Sequence, residues 1–162
     1  MDMKKLLVSS ALLLAVSLSS YTQPLIEKDD MPSAGDTIRL SFTSNINSID
    51  YTLTGQNFIW DFSSLTEQTQ RVDTFVSVLS TPIAYQLFFN DPFDQAHKAS
   101  VAQPQPDISF FSYVQFTKVY NYFKAATASY TQVGQGATVN GVPTSIRYDD
   151  PDLLYNFPIS SG

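Results

Sequence analysis

Apolar and polar residues alternate along two stretches of the first half of the chain. In residues 38–43, Ile38, Leu40 and Phe42 alternate with polar side chains, and residues 72–79 show the same pattern. A period of two places every second side chain on the same face of an extended strand. Both stretches are therefore predicted to be half-buried β-strands.

Other short apolar or aromatic runs are separated by Gly, Pro, Asn and Asp residues, which favour turns. The aromatic-rich part contains strand formers rather than a capped helical pattern, and Phe110, Phe116 and Phe123 are predicted to lie inside. Asn140-Gly141 predicts a tight hairpin turn, and Asp149-Asp150-Pro151-Asp152 predicts a second turn. The predicted strands comprise residues 49–53, 57–62, 83–89, 108–123, 130–139, 142–148 and 153–159.

This succession of roughly eight to ten short strands predicts an all-β fold, an antiparallel β-sandwich of jelly-roll-like architecture. The last run lies close to residue 162, and a strand there is expected to need partners further along. We therefore expect a sandwich that is incomplete at its C-terminus and downstream domains in a longer chain.

The first 22 residues have the order of features found in secretory signal peptides. Lys4 and Lys5 precede an apolar stretch over residues 6–18, and small or polar residues follow. A membrane anchor is the alternative, but this stretch is shorter than the roughly 20 apolar residues that span a bilayer. We expect residues 1–22 to be a cleaved signal peptide, 23–37 an extended lead-in and 38–162 the β-sandwich domain.

Charge and cysteine content narrow the possible partners. The formal net charge is −6, and removal of the signal peptide makes the chain more acidic, since two lysines and one aspartate leave with it. An acidic surface repels nucleic acid and anionic lipid, so neither is an expected partner, and no stable membrane insertion is expected after cleavage. The chain has no cysteine, so it has no disulfide, thiol nucleophile or Cys-based metal site.

Four segments resemble a group of secreted proteins from Bacteroidota. They are residues 30–37 (DMPSAGDT), 60–65 (WDFSSL), 136–143 (GATVNGVP) and 147–158 (RYDDPDLLYNFP). In that group, a domain similar to this one precedes a C-terminal sorting domain for the type IX secretion system, and that sorting domain is absent here. The resemblance implies export, to the periplasm, the cell surface or the extracellular space, and it carries no catalytic residue.

Aromatic residues are candidates for a carbohydrate-binding platform, since a flat ring offers an apolar face to a sugar. The alternative is that these rings pack in the core, as apolar strand faces normally do. The expected partner is a glycan or a surface protein. The platform candidates are Trp60, Tyr113, Tyr120, Tyr122 and Tyr130.

Two acidic clusters are candidates for binding Ca²⁺, which prefers several oxygen ligands from a flexible loop. Asp149, Asp150 and Asp152 form the first, and Asp91 and Asp94 lie in the second. The alternative is ordinary turn chemistry, because Asn, Asp and Pro are common in turns.

His97 is the only histidine, and with Asp91 or Asp94 it could act as a general base. No nucleophile motif accompanies it, and neither Glu27 nor Glu67 indicates a glycosidase pair. The sequence therefore favours a non-catalytic adhesion or ligand-binding module. The alternatives are a secreted hydrolase acting on polysaccharide and a purely structural spacer.

Overall fold

The computed structural model describes residues 25–46, 49–50, 52–53, 55, 59–110 and 113–160, so the predicted signal peptide lies outside the described residues. The chain forms antiparallel sheets that do not close into a barrel, and the all-β prediction is confirmed. No helix among the described residues is long and apolar enough to cross a membrane. The strands are β1 (Leu25–Ile26), β2 (Thr37–Phe42), β3 (Thr69–Thr74), β4 (Val101–Gln105), β5 (Ile108–Phe110), β6 (Val114–Ala125), β7 (Ser129–Val139), β8 (Val142–Asn156) and β9 (Ile159–Ser160), and the helix is α1 (Ile83–Phe89).

The main sheet has five strands in the order β4-β6-β7-β8, and β5 pairs with β6 next to β4. The Asn140-Gly141 turn between β7 and β8 is confirmed. Both residues have positive φ angles, 47° and 86°, as a two-residue hairpin turn requires. Val139 pairs with Val142, and the register runs without interruption to the pair of Gly134 and Arg147.

One face of the main sheet is covered by α1. Tyr85 and Phe89 are four residues apart, so both point to the same side of the helix, and both are fully buried against Tyr122 and Val133. The Phe89 and Tyr122 rings stack with centroids 3.9 Å apart. The helix comes this close because Gly134 and Gly136 of β7 carry no side chain beneath it.

The other face of the sheet holds a second cluster of buried residues at one end. Phe123 follows Tyr122 on β6 and so points to the opposite face, where it packs with Val101, Tyr130 and Phe75. Met31 packs against this cluster, and β1 pairs with β9. The predicted lead-in is thus part of the packed fold, and its described part includes a single 3₁₀ turn at Lys28–Asp30.

Two smaller sheets accompany the main one. β2 and β3 form an antiparallel ribbon, and a bridge between Val76 and Ala102 joins the chain after β3 to β4. The predicted strand at 38–43 is confirmed as β2. The strand predicted for 72–79 is wrong at its end, since β3 stops at Thr74 and a 3₁₀ turn forms at Val78–Ser80. The segments predicted at 49–53 and 57–62 lie partly outside the described residues, and their described parts form no strand.

The strand predicted for residues 83–89 is wrong, because this segment is α1. A short apolar run that fits a buried strand also fits a buried helical segment, and periodicity alone does not separate them. In the helix, Tyr85 and Phe89 lie one turn apart on the same side, so both rings pack against the sheet in one buried cluster.

The turn predicted at 149–152 is also wrong, because β8 continues through it. Gly134 pairs with Arg147 and Gln132 with Asp152, so residues 148–151 stand opposite Val133 alone. We call residues 148–151 the β8 bulge. The residues that favour a turn thus lie in a bulge, in which β8 has more residues than the facing part of β7. The last predicted strand is divided between the end of β8 and β9, and β9 pairs with β1.

Candidate functional site

On the side of the main sheet opposite α1, the second cluster covers one end and leaves the rest of the face open. We call this uncovered part the open sheet face. Strand pairing defines it, since directly paired residues in antiparallel strands point to the same side. Phe116 of β6 pairs with both Ile108 of β5 and Val139 of β7, and Gln135 of β7 pairs with Ile146 of β8.

A cavity of about 440 Å³ lies on the open sheet face. None of its lining residues is charged. Most of the lining is apolar, and Ile108, Phe110 and Ile146 remain largely exposed at its rim. The lining residues are Gln105, Pro106, Ile108, Phe110, Phe116, Val119, Asn121, Gln135, Gly136, Ala137, Val139, Thr144 and Ile146.

A row of side-chain amides crosses the sheet at this cavity. Gln103 of β4 pairs with Asn121 of β6, which pairs with Gln135 of β7. The Gln135 Nε2 atom donates to Asn121 Oδ1 at 3.0 Å, and Gln103 Nε2 donates to an Asp73 carboxylate oxygen at 3.1 Å. An amide carries two N–H donors and an oxygen with two lone pairs. The row therefore offers donors and acceptors side by side to a molecule lying on the sheet.

Two phenylalanine rings lie beside the amide row. Phe110 and Phe116 meet edge to face, with centroids 5.8 Å apart and planes at 87°. Phe110 is 54% exposed, so the prediction that it lies inside is wrong, whereas Phe123 is buried as predicted. Phe110 is exposed because β5 has only three residues and pairs at the end of β6, beyond the second cluster.

The five aromatic residues predicted as a binding platform do not lie together. Tyr122 is fully buried under α1, and Tyr120 packs beside it against Tyr85. Tyr130 lies in the second cluster on the opposite face. Tyr122 and Tyr130 therefore pack in the core, which was the alternative to a binding platform.

Trp60 and Tyr113 are the two more exposed members of that set. Trp60 stacks nearly parallel to Phe62, with centroids 6.0 Å apart. Tyr113 immediately precedes β6, where its carbonyl accepts a hydrogen bond from Asn140. Neither residue lines the cavity on the open sheet face.

The predicted calcium ligands lie on β8 and not in a loop. Asp149 and Asp150 are in the β8 bulge, and Asp152 follows it at the point where pairing with β7 resumes. Within the described residues no three His, Asp or Glu side chains come together in a group that could hold a metal ion. Calcium binding stays a prediction.

His97 forms a close pair with Asp94, as a general base with its orienting carboxylate would. The His97 Nδ1 atom lies 2.8 Å from Asp94 Oδ2, and Nε2 lies 2.8 Å from the backbone oxygen of Tyr148. The second nitrogen thus contacts a carbonyl group and is not directed toward a nucleophile. This geometry favours a structural role, so it gives the hydrolase alternative no support.

Sequence reasoning missed the amide row, although part of its signal was present. Gln135 and Ile146 follow from the hairpin at Asn140-Gly141, because counting back from that turn pairs them. Asn121 does not follow in this way. A bulge with Lys118 at φ 50° shifts the register between β6 and β7 by one residue, and the sequence pattern did not indicate it.

Comparison of the chain with protein-family models, with curated proteins and with solved structures finds no match.

Proposed function

We propose that this chain is an exported, non-catalytic binding domain that holds a neutral glycan on the open sheet face. A single observation carries the proposal, the uncharged cavity in which side-chain amides lie next to the exposed Phe110 ring. Export itself rests on the signal-peptide pattern of residues 1–22.

The chemistry of the cavity supports a sugar as the ligand. A sugar hydroxyl both donates and accepts hydrogen bonds, and Asn121 and Gln135 provide both functions. The C–H faces of a sugar ring are apolar and suit the Phe110 ring, which is accessible at the rim. The same surface can thus contact both the hydroxyl groups and the apolar C–H face of a pyranose ring.

Charge supports a neutral ligand. The cavity lining has no cationic side chain to bind a carboxylate, sulfate or phosphate group, and the formal net charge of the chain is −6. An anionic glycan would be repelled at long range and would find no counter-charge on contact. We therefore expect a preference for uncharged oligosaccharides.

The first test is a glycan array followed by titration of the best neutral oligosaccharide. Phe110→Ala is expected to weaken binding on the order of tenfold, because it removes a ring that stacks on the sugar. Phe93→Ala is the matched control. Phe93 is 96% exposed but lies in the loop between α1 and β4, so its removal is expected to leave binding unchanged.

A second variant tests the amide row. Asn121→Leu keeps a similar volume and removes the donor and the acceptor, and it is expected to abolish measurable binding of the same oligosaccharide. Urea unfolding of each variant separates loss of binding from loss of folding. Absence of binding to every neutral glycan, or equal loss in Phe110→Ala and Phe93→Ala, would contradict the proposal.

The same experiments address the alternatives. Release of shortened products from a polysaccharide would indicate the hydrolase, and binding to a surface protein with no glycan binding would indicate an adhesion module of another kind. The spacer predicts no ligand at all. Repeating the titration with added calcium and with a chelator tests whether glycan binding depends on the ion, for which Asp149, Asp150 and Asp152 are the predicted ligands.

A further inference from the structure

The amide row on the open sheet face is interrupted between β6 and β4. Gln135 donates to Asn121 Oδ1 at 3.0 Å, but within the described part of the chain no hydrogen bond joins Asn121 to Gln103, its direct partner on β4. Directly paired side chains on one face of a sheet have Cβ atoms about 4.5–5.5 Å apart. The two amides are therefore neighbours that share no bond, and a group placed between them can bond to both.

Asp73 of β3 sets the orientation of the Gln103 amide. Gln103 Nε2 donates to Asp73 Oδ2 at 3.1 Å, and Arg71 Nε lies 2.6 Å from Asp73 Oδ1 in an ion pair. The carboxylate of an ion pair only accepts hydrogen bonds, so the nitrogen of Gln103 must face it. The Asp73 side chain is only 15% exposed, so water has limited access to this contact. The oxygen of Gln103 is therefore left for the row.

Gln135 sets the orientation of the Asn121 amide from the other side. Asn121 stands between Gln135 on β7 and Gln103 on β4, and its Oδ1 atom accepts from Gln135. With the oxygen directed toward β7, the Nδ2 donors of Asn121 are directed toward β4. The gap between the two amides thus has an acceptor on the β4 side and donors on the β6 side.

We propose that this gap is the position at which the glycan places one hydroxyl group, and that Asp73 is the positioning residue for it. The inference rests on the proposed function. A hydroxyl donates one hydrogen bond and accepts others, so it can donate to Gln103 Oε1 and accept from Asn121 Nδ2. An ether oxygen only accepts, and a deoxygenated carbon does neither. The gap therefore selects a free hydroxyl at one position of the sugar.

The position is continuous with the cavity already described. Asn121 lines that cavity, and so does Gln105, which lies two residues after Gln103 on β4 and points to the same face. Arg71 balances the charge of Asp73, so the orienting carboxylate brings no net charge to the site. The hydroxyl position thus extends the cavity toward β4 without changing its preference for a neutral ligand.

The test uses the neutral oligosaccharide that binds best on the array, with analogues in which one hydroxyl at a time is replaced by hydrogen. One analogue is expected to bind the unmodified protein about tenfold more weakly than the parent sugar, because the two amides lose their shared partner. In Asp73→Asn, the introduced amide can offer its nitrogen to Gln103, whose oxygen then turns away from the gap. Parent and analogue are expected to bind this variant equally, and Gln103→Leu should give the same result.

Two further variants separate positioning from a structural role of the ion pair. Arg71→Gln breaks the same pair but keeps the carboxylate beside Gln103, so the tenfold preference for the hydroxyl is expected to persist. Asp91→Asn removes the same charge from the loop between α1 and β4, and no change is expected. In the absence of sugar, the nuclear magnetic resonance signal of the Gln103 side-chain amide is expected to move in Asp73→Asn and to stay in Asp91→Asn.

The outcomes distinguish this inference from the proposed function. Absence of binding to any neutral oligosaccharide would overturn the proposed function and the hydroxyl position with it. Binding in which the unmodified protein and Asp73→Asn show the same preference for every hydroxyl would overturn the hydroxyl position alone. So would loss of the preference in Arg71→Gln, or a Gln103 amide signal that does not move in Asp73→Asn.

Discussion

Gly136 allows α1 to lie directly on the main sheet. A Cβ atom at this position would stand 2.9 Å from the Tyr85 ring and 3.3 Å from the Tyr122 ring. We expect Gly136→Ala to lower the free energy of unfolding by about 1–3 kcal/mol, because the helix must move away or distort. Urea unfolding measures this. Gly55→Ala is the control, since among the described residues no atom beyond its chain neighbours lies within 4 Å of a Cβ there, and little change is expected.

Buried tyrosines predict how stability depends on alkaline pH. Burial, with a smaller contribution from the charge of Tyr155, raises the pKa of Tyr130 to about 12, and burial also raises the pKa of Tyr122. An unfolded tyrosine ionises near pH 10, so the contribution of Tyr130 is complete below about 10 and is lost as the pH rises toward 12. We expect the free energy of unfolding to fall over this interval. Tyr130→Phe should show a shallower fall, and an identical fall in both proteins would contradict the assignment.

Among the elements, the β7–β8 hairpin depends on Asn140. Its side chain accepts from the Gln115 N–H at 2.8 Å and donates to the Tyr113 carbonyl at 3.0 Å, so it ties the turn to the start of β6. We expect Asn140→Gly to cost about 1–2 kcal/mol for the two bonds, and Asn140→Ala about 1 kcal/mol more, because alanine is strained at φ 47°. Thermal unfolding of both variants tests this order. Equal losses of stability in the two variants would show that the positive φ angle at residue 140 adds no cost for alanine.

The elements also show which parts of the fold could be predicted from sequence. The hairpin at Asn140-Gly141 was predicted correctly because a tight turn depends only on the residues within it. The turn sets the register that pairs Gln135 with Ile146 on the open sheet face. The helix at 83–89 was not predicted, since its burial depends on a sheet whose strands follow later in the chain. The amide row was missed for a related reason, because the bulge at Lys118 decides whether Asn121 lies opposite Gln135.

Across the whole molecule, burial is unevenly distributed. The β2–β3 ribbon has no buried residue, and Phe42 and Val72 are largely exposed in it. In contrast, Tyr122 of β6 and Val133 of β7 are fully buried beneath α1. We expect native-state hydrogen exchange to be fastest in the ribbon and slowest in β6 and β7, since few buried contacts oppose local opening of the ribbon. Ribbon amides that exchange as slowly as those of β7 would contradict this order.

The β8 bulge affects how readily this protein could aggregate at high concentration. β8 is 15 residues long and lies at the edge of the main sheet, where a second molecule could add a strand to it and begin an aggregate. Pro143 and Pro151 have no N–H for such a strand, and the charges of Asp149 and Asp150 would repel those of an identical neighbour. Asp149, Asp150 and Pro151, the residues on which the wrong turn prediction rested, therefore act with Pro143 to oppose edge-to-edge association between copies of this protein.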